Sequence, residues 1–151
     1  MDSYLVKAEL KDIRLLYQWV NDEVVRENSF NTEQISEEQH KKWFVERLNS
    51  NTTDIYIYYY KGIAIGQLRL DYEGTTAIID YSIDRAYRGQ GHGTMLLSLI
   101  EKIDNKKKPI KCYIGRVKFD NISSQYVFTK MRYDKSYQNN YIEFIKELSD
   151  V

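Results

Sequence analysis

No charge of one sign dominates this chain. Its 151 residues carry 22 Lys and Arg against 22 Asp and Glu, so the positive excess of a nucleic-acid-binding surface is missing. The one basic run, Lys106-Lys107-Lys108, reads as a solvated loop. A single cysteine, Cys112, excludes an internal disulfide and suits a reducing compartment. With only two histidines beside it, the ligand set for a zinc centre is too sparse, and no metal is expected. No stretch approaches the roughly 18 uninterrupted apolar residues of a membrane span. The opening Met-Asp-Ser-Tyr has neither the basic flank nor the apolar run of a secretion signal. These absences predict a soluble, cytoplasmic protein whose partners are neither nucleic acid nor membrane.

What the chain does have is tyrosine, fourteen of them, with five phenylalanines. An apolar body with a polar tip suits half-buried packing and the wall of a wet cleft. The length fits one domain over 1–151, burying roughly 70% of its unfolded surface. Tyr4 to Ala8 is a strand candidate, and Asp12 is placed to cap a helix carrying Ile13, Leu15, Leu16, Trp19 and Val20. That helix is expected to end near Asn21, with loop composition over Arg26 to Asn31. Ser36 and Gln39 form a capping box that opens a second helix, on which His40 is expected at the surface or half buried. Ile55–Tyr60, Ile63–Tyr72 and Thr76–Ile83 read as three strands of an antiparallel meander, joined at Lys61-Gly62 and Glu73-Gly74. A helix over Thr94–Ile103, a strand over Ile110–Val117, a helix from Asn121 to about Met131, and strands near Tyr133 and at Tyr141–Ile145 complete the pattern. The order βαα-βββ-α-β-α-β-β predicts an α+β domain with a mixed, mostly antiparallel sheet flanked by helices, in which one βαβ crossover follows the meander.

The chemically informative segment is Ile83-Asp84-Arg85-Ala86-Tyr87-Arg88-Gly89-Gln90-Gly91-His92-Gly93-Thr94. A strand enters a Gly-rich turn that opens a helix. The unpaired N–H groups and positive dipole of a helix N-terminus attract phosphate. The glycines allow close approach, and Arg88 adds a charge-assisted donor. The segment lacks the Gly-Lys-Ser/Thr ending of a P-loop, and its glycine spacing breaks the dinucleotide fingerprint.

The Arg-x-x-Gly-x-Gly run resembles motif A of the GNAT superfamily of acetyl-CoA N-acyltransferases. Asn121-Ile122-Ser123-Ser124, Phe128 and Met131-Arg132-Tyr133 resemble its motif B, and the element order matches the family over nearly the whole chain. The resemblance implies acetyl-CoA as cofactor and acetyl transfer to a primary amine by direct attack in a ternary complex. It implies that the strand edge at Tyr81, Ser82 and Ile83 pairs with the pantetheine arm. It further implies that Arg88, Gly89, Gln90, Gly91, His92, Gly93 and Thr94 hold the pyrophosphate, that Asn121 contacts or orders the cofactor, and that Phe128 lies near the thioester sulfur.

Three departures matter. Phe128 stands where many members carry a tyrosine that protonates the thiolate, Arg132 replaces a glycine, and Arg116 stands where some relatives place a glutamate base. Asp80 is then the candidate base, with Asp71 and Glu73 beside it, and Tyr126 is a candidate acid. The run from Trp19 to Asn31, with Ile35, Ser36, Glu38-Gln39-His40, Trp43-Phe44 and Gly66 to Asp71, is similar to acetyltransferases of nonulosonic-sugar biosynthesis, which act on nucleotide-linked amino sugars. On that likeness Asn28, Ser29, Asn31 and Arg69 are candidate acceptor contacts. The rival expectations are acetylation of a protein N-terminus or ribosomal protein, and an acyl-CoA-binding domain without catalysis.

Overall fold

The computed structural model describes residues 2–148. One seven-stranded sheet runs through it. β1 (Ser3–Lys7), β2 (Thr53–Tyr60), β3 (Ile63–Glu73) and β4 (Thr76–Ile83) form an antiparallel half. β5 (Cys112–Val117), β6 (Asp134–Tyr137) and β7 (Ile142–Glu147) follow in the order β1-β2-β3-β4-β5-β7-β6. Every pairing is antiparallel except β4 with β5. The parallel pair exists because a crossover helix, α4 (His92–Ile100), lies between those strands.

The two faces of the sheet are covered by different helices. Ile55 and Ile57 of β2 turn toward α1 (Ile13–Val20) and α3 (Glu37–Asn49), forming a core with Leu16, Trp19 and Phe44. Tyr56, Tyr58, Leu68, Ile79 and Tyr113 turn the other way, under α4 and α5 (Ile122–Lys130), with Leu96, Ile100, Phe128 and Phe144. Period-two alternation along the strands produces this division. The Lys61-Gly62 hairpin has both residues at positive φ, 50° and 80°, the turn that matches strand twist. The Ser36–Gln39 capping box is present in both directions.

Three sequence expectations change. The segment read as loop contains a helix, α2 (Glu23–Asn28), so the order is βααα-βββ-α-β-α-β-β. Its cause is local: the Asp22 carboxylate accepts from the Val24 and Val25 amides, and Arg26 supplies interior hydrogen bonds that polar composition concealed. Asp12 does not cap α1; its carboxylate accepts from the Glu9 amide across a short 3-10 turn. His40 is buried, 4% exposed, with its ring stacked on Phe44 and beside Tyr17. Boundaries also move: α4 opens at His92 and closes at Ile100, β5 begins at Cys112, and Tyr133 is a core residue preceding β6.

Candidate active site

β4 and β5 pair only from Thr76 with Cys112 to Ile79 with Gly115. Beyond that point Asp80–Ile83 and Arg116–Val117 have no partner across the gap, and the sheet opens. Phe128 sits at the root of the opening. Its ring is 2% exposed and stacks on Phe144 at 5.3 Å. A Cβ on Gly115 would lie 2.6 and 2.8 Å from its Cε1 and Cε2 atoms, so glycine is required there. A cleft of about 1100 Å³ occupies the opening and extends to both faces of the sheet.

On the α4 face, the cleft wall is backbone. Gly91 caps α4 with φ 86°, in the left-handed region, and Gly89 has φ 76°. The first intrahelical bond is Met95 N to Gly91 O, leaving the amides of His92, Gly93 and Thr94 without helical partners. The residues from Gly91 to Thr94 all line the cleft. The side chain of His92 turns away from it: Nδ1 lies 2.9 Å from the Tyr58 hydroxyl, and Tyr60 packs edge-on at 4.6 Å. Burial lowers the His92 pKa, so the imidazole is neutral and anchors the turn to β2. Arg88 donates from Nε to the Ile83 carbonyl at 2.9 Å and from Nη2 to Asp22 at 2.8 Å. Burial would raise the Asp22 carboxyl; the Arg88 hydrogen bond and charge, with the two helix amides, outweigh it and bring it below its ordinary value.

The strand edge at Tyr81–Ile83 is paired on its β3 side alone, a free edge of the kind an extended chain adds to. The Tyr81 hydroxyl lies 2.9 Å from Ser124 Oγ, and burial pushes its phenol up to about 12, so it stays protonated. Asn121 caps α5 by accepting from the Ser124 amide. Gln90, in contrast, is exposed and donates to the Ala86 carbonyl at 3.4 Å, and it is not among the residues that line the cleft. Tyr126 lines the cleft near solvent, 63% exposed.

On the α1–α3 face the wall is made of side chains that hold one another. Asp80 accepts from Gln67 Nε2 at 3.3 Å and lies 3.8 Å from Arg69 Nη1. Arg69 is also bonded to Asp71 at 2.9 Å and its guanidinium lies 5.3 Å from the Trp43 ring centroid. Burial alone would lower the Arg69 pKa, but the two carboxylates raise it; it is a fixed cation, balanced by its neighbours. Ser29 accepts from Arg26 and donates to the Val25 carbonyl. The Asn31 side chain accepts from the Glu33 amide. Asn28 lines the cleft as well.

Sequence reasoning missed three residues here. Arg26 is 8% exposed; it donates to the carbonyls of Val20, Asn31 and Glu33 and to Ser29. Lys118, just after β5, donates to the Glu27 and Ser29 carbonyls. Asp22 holds Arg88. Together they stretch α2 between the lip formed by β4 and the lip formed by β5. The signal was present in Asp22-Glu23-Val24-Val25-Arg26, an acidic cap followed by a basic last turn.

A glycine turn at a helix N-terminus beside a free strand edge is a donor set for a diphosphate joined to an amide-bearing chain. Residues 4–134 match the family described as acetyltransferase (GNAT) domain. No match to a curated protein was found. Among solved structures, spermidine N-acetyltransferase from Vibrio cholerae, in complex with CoA and spermine, superposes with TM-score 0.82 at 13% identity, covering 97% of this chain and 95% of that one. An acetyltransferase from Salmonella typhimurium that modifies the N-terminal serine of ribosomal protein L7/L12 gives 0.81 at 16% identity, covering 99% and 96%. A second Salmonella typhimurium protein, yncA, with its cofactor acetyl-CoA, gives 0.80 at 13%, covering 100% and 96%. At such identities these likenesses establish the fold, whereas the family match covers most of the chain. The protein belongs to the GNAT family and is an acetyl-CoA-dependent N-acetyltransferase.

Proposed function

We propose that this enzyme acetylates the primary amine of a nucleotide-linked amino sugar, by direct attack within a ternary complex. The observation that carries the choice of acceptor is the charge of the cleft. Its lining holds a single carboxylate, Asp80, beside four arginines that are already engaged: Arg69 and Arg88 with carboxylates, Arg116 at 3.7 Å from Glu143, and Arg26 with carbonyls and Ser29. A polyamine or aminoglycoside needs several carboxylates around it, and the described lining offers no such cluster. An acceptor with one amine needs no more than one carboxylate, and the N–H groups that Arg69 and Arg116 keep free can meet the phosphates of a nucleotide-linked sugar.

Bound acetyl-CoA supplies the acetyl group as an activated thioester. The chain's residues then divide the work. The amides from His92 to Thr94, with Arg88, Gly89 and Gly91, take the diphosphate. The edge of β4 at Tyr81, Ser82 and Ile83 aligns the pantetheine arm as an added strand. Asn121 orders the start of α5 against it, and Phe128 keeps the strands apart while donating no proton. Asp80 stands at the first position of β4 without a partner on β5, on the acceptor face, and receives the proton of the attacking amine, directly or through water. Asn28, Ser29, Asn31 and Arg69 shape the acceptor end. The reaction suits a cytoplasmic enzyme.

The test mixes the protein with acetyl-CoA and a set of amines and follows free thiol. Release with a nucleotide-linked amino sugar, and little with spermidine or an N-terminal peptide, is the expected result. Release with the peptide instead makes the enzyme a protein N-acetyltransferase, and tight acetyl-CoA binding with no release from any amine makes it a binding domain. Thr94→Glu checks the cofactor end. A glutamate in the first turn favours the helix, yet faces the diphosphate with like charge; calorimetry should show acetyl-CoA affinity reduced by at least about 30-fold.

A further inference from the structure

We propose that Asp22 is a positioning residue for the cofactor, acting through Arg88: it fixes the guanidinium against the turn before α4 so that the remaining N–H groups face the diphosphate. The inference rests on reading that turn as the diphosphate site.

Arg88 lines the cleft beside Gly89 and Gly91, whereas Asp22 does not line it. Two bonds hold the guanidinium, Nε to Ile83 O at 2.9 Å and Nη2 to Asp22 Oδ2 at 2.8 Å. They fix the plane of a fork that has five N–H donors, leaving Nη1 and one N–H of Nη2 for a ligand. A surface arginine otherwise loses its rotamer freedom when the ligand arrives; here that ordering is complete beforehand. The carboxylate is itself immobile. Its Oδ2 also accepts from the Val24 and Val25 amides, and α2 is tied down by Arg26 and Lys118 at its C-terminal end. Trp19 adds a parallel tie, donating from Nε1 to Asp84 at 2.9 Å. One oxygen thus caps a helix of the acceptor wall and aims an arginine of the cofactor turn.

Asp22→Asn separates the two roles. Asparagine caps a helix as well as aspartate, so α2 is kept, but the charge that holds Arg88 is lost. The expected result is a three- to tenfold rise in the Kd and KM for acetyl-CoA, with kcat at saturating acetyl-CoA and the thermal midpoint retained. Arg88→Ala should raise the same constants at least as much, and adding Asp22→Asn to it should cost nothing more. Unchanged acetyl-CoA affinity in Asp22→Asn, or losses that add in the double variant, would overturn the proposal. Thr94→Glu separates its failure from that of the turn. If Thr94→Glu binds normally, the diphosphate site is elsewhere and the Asp22 role falls with it. If Thr94→Glu loses binding while Asp22→Asn does not, the turn stands and only Asp22 is misassigned.

Discussion

The two halves of the cleft are built from different material. The half proposed for the cofactor presents backbone: three helix amides, glycines in the left-handed region and one edge of a strand. The acceptor half presents side chains already engaged with each other: Asp80 with Arg69 and Gln67, Arg69 with Asp71, Arg26 with Ser29 and three carbonyls. A backbone site needs few particular side chains, only glycine where φ is positive and a helix that starts in the right place. A side-chain site depends on every member of its network, because each charge is held where another leaves it. The cofactor half should therefore be sensitive at few side chains, Arg88 and its partner Asp22 first among them, and the acceptor half should fail by propagation.

Asp80→Asn gives the largest expected effect and tests the acceptor half at its centre. The amide keeps a hydrogen-bond partner for Gln67 but cannot take a proton from the amine. Loss of a positioned base costs about 10²- to 10⁴-fold in kcat/KM, while acetyl-CoA affinity should stay within twofold because Asp80 points to the face opposite α4. A variant that keeps full activity assigns the proton transfer to another group. If cofactor affinity falls in step, the halves are not separable as described.

Arg26→Ala comes next. Removing the guanidinium takes a donor from the Val20, Asn31 and Glu33 carbonyls, which lie in part-buried positions. An ordinary hydrogen bond is worth about 0.5–1.5 kcal/mol net, so stability should fall by about 1–3 kcal/mol in urea denaturation. The acceptor KM should rise far more than the acetyl-CoA KM. Equal increases would mean that the strap serves both ends alike.

This contrast also governs how much could be read from the chain. Gly89, Gly91 and Gly93 between a strand and an apolar helix announce a turn that opens a helix, because glycine is itself the structural requirement where φ is positive, as at Gly89 and Gly91. Ser36 and Gln39, Asn121, and the Lys61-Gly62 hairpin were legible for the same reason: each is a local pattern whose partner lies within a few residues. Arg26 was not legible. Its partners are carbonyls, which carry no identity in a sequence, and its polar neighbourhood resembles a loop. Lys118 is 89 residues from the Ser29 carbonyl that it holds. Arg69 reads as a free cation until the β3–β4 register sets Asp80 opposite it. His40 reads as a surface or half-buried residue until α1 packs against α3 and brings Tyr17 over it.

The two histidines give the smallest effect and probe one half each, since His92 anchors the cofactor turn and His40 packs beneath the acceptor wall. Burial lowers both pKa values below the ordinary 6.5; at His40 a hydrogen bond to the Ile13 carbonyl only partly opposes it. The unfolded chain accepts a proton at each site near pH 6.5, where the folded chain does not. Their contribution to stability is therefore intact above that pH and is lost as pH falls below it, with a slope of at most about 1.4 kcal/mol per pH unit for each histidine. Among the described residues His40 Nε2 has no hydrogen-bond partner, so a charge placed there meets nothing that compensates it. Denaturation midpoints measured from pH 7.5 to 5.5 should decline, and His40→Met should flatten the decline while sparing acetyl-CoA affinity. A profile unchanged by His40→Met would place the pH dependence in the cofactor half, under His92.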